Sequence, residues 1–179
     1  MTVRIGETFV LARAVAEAEA LRTAELPAAG PVPAESDVEE EPGTGEWIAT
    51  TGAGFRIVPL WESGGFTGVY EAEWSAAQEE CEGHLRALVG ALEERWGPHR
   101  RVAMHVPLFR AQAGEPMPPV FRALCDQEAY GDLSVWGPLG EGAGGPRWVG
   151  VSLCQIDGDA PMVLVAVVTD EEIAQLPDR

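Results

Sequence analysis

Three cysteines (Cys81, Cys125, Cys154) and three histidines (His84, His99, His105) are the chain's soft metal ligands and neutral-pH bases. Cys81 and His84 stand three residues apart, which on a helix brings both to one face and offers two ligands of the kind zinc or nickel takes. No second pair follows at comparable spacing, and Cys81 also belongs to an apolar stripe. The pair therefore reads as a packed thiol beside a surface histidine, with no metal and no other cofactor expected. Nucleophilic catalysis would need a thiol or hydroxyl next to a base in a local signature, and neither the cysteines nor Ser63, Ser75, Ser134 and Ser152 sit in one. The cysteines are odd in number, widely spaced and in no CxxC pair, so they are read as buried thiols rather than a disulfide framework.

The charged residues are more informative. All 12 basic residues are arginine, because the chain has no lysine. That excludes a Walker-type phosphate loop, Schiff-base chemistry and a lysine general base. The absence of asparagine, with abundant Ala, Gly and Pro, fits the codon bias of a GC-rich bacterium. A formal charge of −17 repels phosphate backbones and attracts basic proteins. Glu35, Asp37, Glu39, Glu40 and Glu41 concentrate that charge in a Pro- and Gly-rich stretch, to meet an arginine-rich partner surface or a divalent cation, or as a plain solvated loop. The only basic concentration is Arg95, His99, Arg100 and Arg101, which suits the negative end of a helix or, alternatively, a bound anion. Asp157 and Asp159 around Gly158 read as a tight turn, since the bidentate glutamate of a calcium loop is missing. Six tryptophans exceed what the core requires, and Trp61, Trp136 and Trp148, at strand ends beside turns, are candidate partner anchors.

These residues need elements to hold them. Glu71 to Trp96 repeats Trp74, Ala77, Gln78, Cys81, Leu85, Leu88, Leu92 and Trp96 at helical spacing, with Ser75 and Gln78 as a capping signal and Gly97-Pro98 as the stop. Gly83 and Gly90 within it predict a close approach by another element. Before it, Met1 to Ile5 reads as a short strand and Glu7 to Leu26 as an alanine-rich helix with a thin stripe (Leu11, Val15, Ala18, Leu21). A linker runs on to Gly45. Trp47–Thr51, Phe55–Trp61 and Phe66–Tyr70 read as a three-stranded meander. Gly52-Ala53-Gly54 inside it is rejected as a dinucleotide fingerprint, since no third glycine and no helix follow. After the central helix, Arg101–Phe109 alternates as an edge strand, and Pro119–Tyr130 reads as a helix stopped by Gly131. Leu133–Trp136, Trp148–Ile156 and Met162–Thr169 read as strands, the last two joined by a hairpin turn, and Thr169 with Glu172 as the cap of a final helix.

The predicted architecture is α+β, a mainly antiparallel sheet packed against a central amphipathic helix. An amino-terminal helix and acidic linker (1–45) precede a single domain (46–179). No apolar run of about 18 residues and no charged-then-apolar leader appear, so a cytoplasmic protein without membrane span is expected. No stretch carries a known family's motif. The function expected is that of a non-enzymatic acidic interaction protein, an immunity-protein-like inhibitor or an accessory subunit, bound to a basic protein and not to nucleic acid or membrane. The alternative is a small enzyme using carboxylate chemistry in a pocket between sheet and helices.

Overall fold

The apolar run Met162–Thr169 (MVLVAVVT) has no polar face, and such a run suits a strand covered on both sides. It forms the centre of the sheet. The computed structural model describes residues 6–28, 49–140 and 145–178. Within them lie six strands: β1 Thr50–Gly52, β2 Phe55–Glu62, β3 Arg100–Val102, β4 Leu133–Leu139, β5 Arg147–Gln155 and β6 Met162–Thr169. The four helices are α1 Leu11–Thr23, α2 Glu71–Trp96, α3 His105–Gln112 and α4 Pro119–Asp126. All strands pair antiparallel in the order β1-β2-β6-β5-β4-β3, so the fold is α+β with one sheet.

Alternation along β6 divides the interior into two layers. Met162, Leu164, Ala166 and Val168 meet α1 and α2, together with Leu88 and Leu92 of α2 and Ala14, Val15, Ala18 and Leu21 of α1. Val163, Val165 and Val167 meet Val120, Phe121, Leu124 and Cys125 of α4 on the opposite face. The amino-terminal helix thus docks within its own chain, sharing one buried cluster with α2. No helix among the described residues is long and apolar enough to cross a membrane.

One irregularity positions the candidate site. In β2, Pro59 pairs with Val165 but Trp61 pairs with Leu164, so Leu60 is an extra residue in the strand. This bulge breaks the alternation that would send Trp61 to the α4 face and turns its ring to the α1–α2 side, where Leu60 also packs. Close approach to β5 requires glycine at positions 131 and 137. A Cβ on Gly131 would lie 2.0 Å from the Leu153 carbonyl oxygen, and one on Gly137 would lie 2.2 Å from the Trp148 ring.

Several expectations are corrected. Residues 66–70 are a turn rather than a strand, with the Val69 N–H bonded to the Phe66 carbonyl and the Phe66 N–H to that of Asp159. The expected strand Arg101–Phe109 is three residues of β3 followed by α3. Asp132 Oδ1 accepts the Met104 N–H at 2.9 Å and holds the turn between them, while Pro107 falls in the first helical turn, where no intrahelical donor is lost. Helix α2 has the expected bounds, but its N-cap is Tyr70, which makes no side-chain capping bond, and Ser75 lies inside the helix, past its first turn. Among the described residues no element presses on its glycines: a Cβ on Gly83 would meet only an arginine side chain, and one on Gly90, on the solvent side, would meet nothing within 4 Å. Helix α4 ends at Asp126, so Gly131 is a packing glycine and not a helix stop. Thr169 caps no helix; its hydroxyl accepts the Glu171 N–H in a local turn that delivers Ile173 to the α4 layer. The Asp157–Asp159 turn is as expected, with Asp157 Oδ1 accepting the N–H groups of Asp159 and Ala160. The expected strand at Met1–Ile5, residue Trp47 and the acidic cluster Glu35, Asp37, Glu39, Glu40 and Glu41 lie outside the described residues.

Candidate functional site

A cleft of about 460 Å³ opens where residues 6–9, the end of β2 with its following turn, and α2 converge. Several hydrogen bonds fix the amino-terminal segment there. The Gly6 N–H donates to the Glu62 and Ser63 carbonyls at 3.2 Å, and Trp61 Nε1 donates to the Glu7 carbonyl at 2.6 Å. Ser63 Oγ donates to the Gly64 carbonyl and accepts the Met162 N–H, which ties the turn to the central strand.

Three rings meet inside it. The Phe9 ring stacks on His84 at 4.3 Å, and Trp61 meets His84 edge-on at 4.8 Å and Phe9 edge-on at 5.9 Å. Burial lowers the His84 pKa from its ordinary 6.5, with Glu80 pulling the other way. The ring is therefore neutral near pH 7, with Nε2 3.9 Å from Glu80 Oε1 and a buried Nδ1 that has no hydrogen-bond partner among the described residues. Cys81 also lines the cleft, but desolvation, then the Glu80 charge, push its thiol up to about 11. At pH 7 only about one thiol in ten thousand would then be thiolate, the form that attacks or binds metal. No hydrogen bond joins Cys81 to His84 among the described residues, and no group of three or more metal-ligating side chains is found there. The charged groups lining the cleft are Glu7, whose carboxylate pairs with Arg13 at 3.1 Å, and Glu80, whose side chain is 74% exposed.

The amino-terminal half of α2 carries Glu71, Glu73, Glu79, Glu80 and Glu82 at its surface, and none is ion-paired with an arginine among the described residues. The carboxyl-terminal end is the reverse. Arg95 meets Glu19 of α1 at 3.6 Å, His99 Nδ1 meets Glu93 at 2.8 Å, Arg100 meets Glu172 at 2.9 Å, and Arg101 is held by Asp132. The hydrogen bond from His99 holds the Glu93 carboxyl below its ordinary range. For Asp132, burial alone would raise the pKa, but the Met104 N–H and Arg101 outweigh it and the net shift is downward. Each of the four residues expected as an anion site thus already faces a carboxylate, and Arg100 and Arg101, consecutive in β3, extend to opposite faces of the sheet.

The expected tryptophan anchors divide. Trp61 borders the cleft. Trp136 is 1% exposed, edge-on to Trp96, with Nε1 donating to the Gly97 carbonyl at 2.8 Å. Trp148 is half-buried against Gly137 on the opposite layer. Sequence reasoning missed Phe9, Phe66 and Glu80. The i,i+4 spacing of Glu80 and His84 was the available signal for Glu80, but Phe9 reaches the cleft only through the path of the chain before α1.

Comparison with known protein families finds none whose pattern this chain matches, and comparison with characterised proteins and with solved structures finds no match either.

Proposed function

We propose that the protein is a binding module for a basic protein partner, engaged through the cleft and the acidic half of α2. The observation that carries this reading is the contrast in charge along one helix. The cations at its carboxyl-terminal end are compensated within the chain, whereas five exposed glutamates at its amino-terminal half have no arginine partner among the described residues. Unspent charge of one sign beside apolar surface steers a partner of opposite sign, and desolvated anchors then hold it. Such apolar surface is present: Val69 borders the cleft, and its neighbour Tyr70 is 80% exposed. The protonated Cys81 thiol and the absence of a thiol–imidazole bond favour binding over nucleophilic catalysis at this site.

Lack of lysine supplies a clean test, because carbodiimide joins carboxylates to amines and this chain offers no side-chain amine of its own. Cross-linking in a lysate of the source cell should join a basic protein to Glu71–Glu82, and the adduct should fall sharply in a Glu71→Gln/Glu73→Gln/Glu79→Gln chain. Adducts spread evenly over the carboxylates, or made with acidic proteins, would contradict the proposal.

A further inference from the structure

We infer that the cleft is a receptor for the guanidinium group of an arginine on that partner, an assignment that rests on the partner being basic. Three features of the cleft fit this group, and the second separates it from a neutral one. Its walls are rings: Phe9, Trp61 and His84 in mutual contact, with the buried Phe66 below. Its free charge is negative: among the described residues no arginine lines it, and the one ion contact of Glu80 is that with the neutral imidazole at 3.9 Å. Its volume, about 460 Å³, is that of a small-ligand site and takes a side chain rather than a chain segment. Cations are attracted to ring faces, and one carboxylate at the mouth completes the recognition.

Arginine fits better than lysine. A guanidinium is planar, weakly hydrated and stacks on rings, whereas an ammonium holds its water tightly and needs more oxygen acceptors than Glu80 supplies. Arg13, a nearby arginine among the described residues, is engaged by Glu7 and Glu17.

The test is a titration of the full 15N-labelled chain at pH 7.5 with butylguanidinium, butylammonium and butylurea, following the tryptophan indole N–H signals and the amides of residues 77–84. Trp61→Phe assigns the Trp61 signal. Butylguanidinium should shift that signal and those amides saturably, butylammonium should bind less tightly, and butylurea should leave them in place. Phe9→Leu and Glu80→Gln should each weaken butylguanidinium by about threefold to thirtyfold. Glu80 is exposed, so its variant keeps the test valid even if Phe9→Leu melts early. Equal binding of butylurea, tighter binding of butylammonium, or an unchanged Glu80→Gln titration would overturn the assignment. Binding that emerges only in an Arg4→Gln chain would overturn it in favour of an occupant from the same chain. If butylguanidinium leaves Trp61 unmoved while the cross-links still map to Glu71–Glu82, the guanidinium pocket falls and the basic partner stands. If the titration succeeds but the cross-links fall elsewhere, the partner reading falls and a cation site without it is left.

Discussion

At the carboxyl-terminal end of α2, Arg95, His99, Arg100 and Arg101 each meet a carboxylate supplied by another part of the chain: Glu19 from α1, Glu93 from the helix itself, Glu172 from the carboxyl-terminal segment and Asp132 from the start of β4. The tryptophans there are equally committed, with Trp96 and Trp136 packed edge to face at 5.5 Å. The amino-terminal half has glutamates without arginines, an open cleft and an exposed Tyr70. One helix thus has an end whose charges and rings are paired within the fold and an end where glutamates and Tyr70 face outward. A concentration of charge in the sequence is therefore no guide to function until its partners within the chain are known.

The sharpest way to break this comparison is to remove a ring from each end. Trp136→Ala should cost about 3–5 kcal/mol in urea unfolding, as a fully buried ring leaves a cavity. Phe9→Ala, half-buried at the cleft, should cost about 1–2 kcal/mol, within the usual range for single substitutions. Equal losses would mean that the cleft is as much a part of the core as the Trp96–Trp136 contact.

Acid should act on the two ends in different pH windows. Folding depresses the His84 pKa, so the unfolded chain takes up a proton first as pH falls below about 6.5 and the folded state loses stability from there downward. Glu93 and Asp132 are also depressed, but as carboxylates their contribution is complete above their ordinary values of 4.5 and 3.8 and is lost only as pH falls below them. Melting temperature should therefore drop between pH 7.5 and 5.5 in the natural chain and drop less in His84→Gln. An unchanged slope in that variant would show that the ring is not held neutral by its cleft.

Much of the fold was legible in the sequence because it is written locally. The bounds of α2 and β6 follow from periodicity and from an unbroken apolar run within one segment. The cleft was not legible. Trp61 reaches it through the bulge at Leu60, which depends on the register of β2 against β6, and Phe9 reaches it through hydrogen bonds to a strand far along the chain. The helix at His105–Gln112 escaped for a related reason: Val102, Met104, Val106 and Leu108 alternate as a strand would, and the turn that interrupts them is held by Asp132 from another segment. The arginines of the basic cluster were visible, but the carboxylates that neutralise them lie in α1, in the turn before β4 and in the carboxyl-terminal segment.

A smaller effect sharpens the charge contrast. Arg95→Gln and Arg100→Gln break ion pairs that are partly exposed, so each should cost no more than about 1 kcal/mol in thermal unfolding. Losses well above that would give these pairs a structural weight that their exposure does not imply.

The central claim, that the acidic half of α2 is the working face, is tested most directly by association kinetics with the cross-linked basic partner once it is identified. The Glu71→Gln/Glu73→Gln/Glu79→Gln chain should associate more slowly than the natural chain and show a flatter dependence on salt, since screening acts over about 8–10 Å at physiological ionic strength. The Arg95→Gln/Arg100→Gln chain should associate no more slowly than the natural one. Unchanged association in the glutamine chain, or an equal slowing in the arginine-depleted chain, would contradict the account.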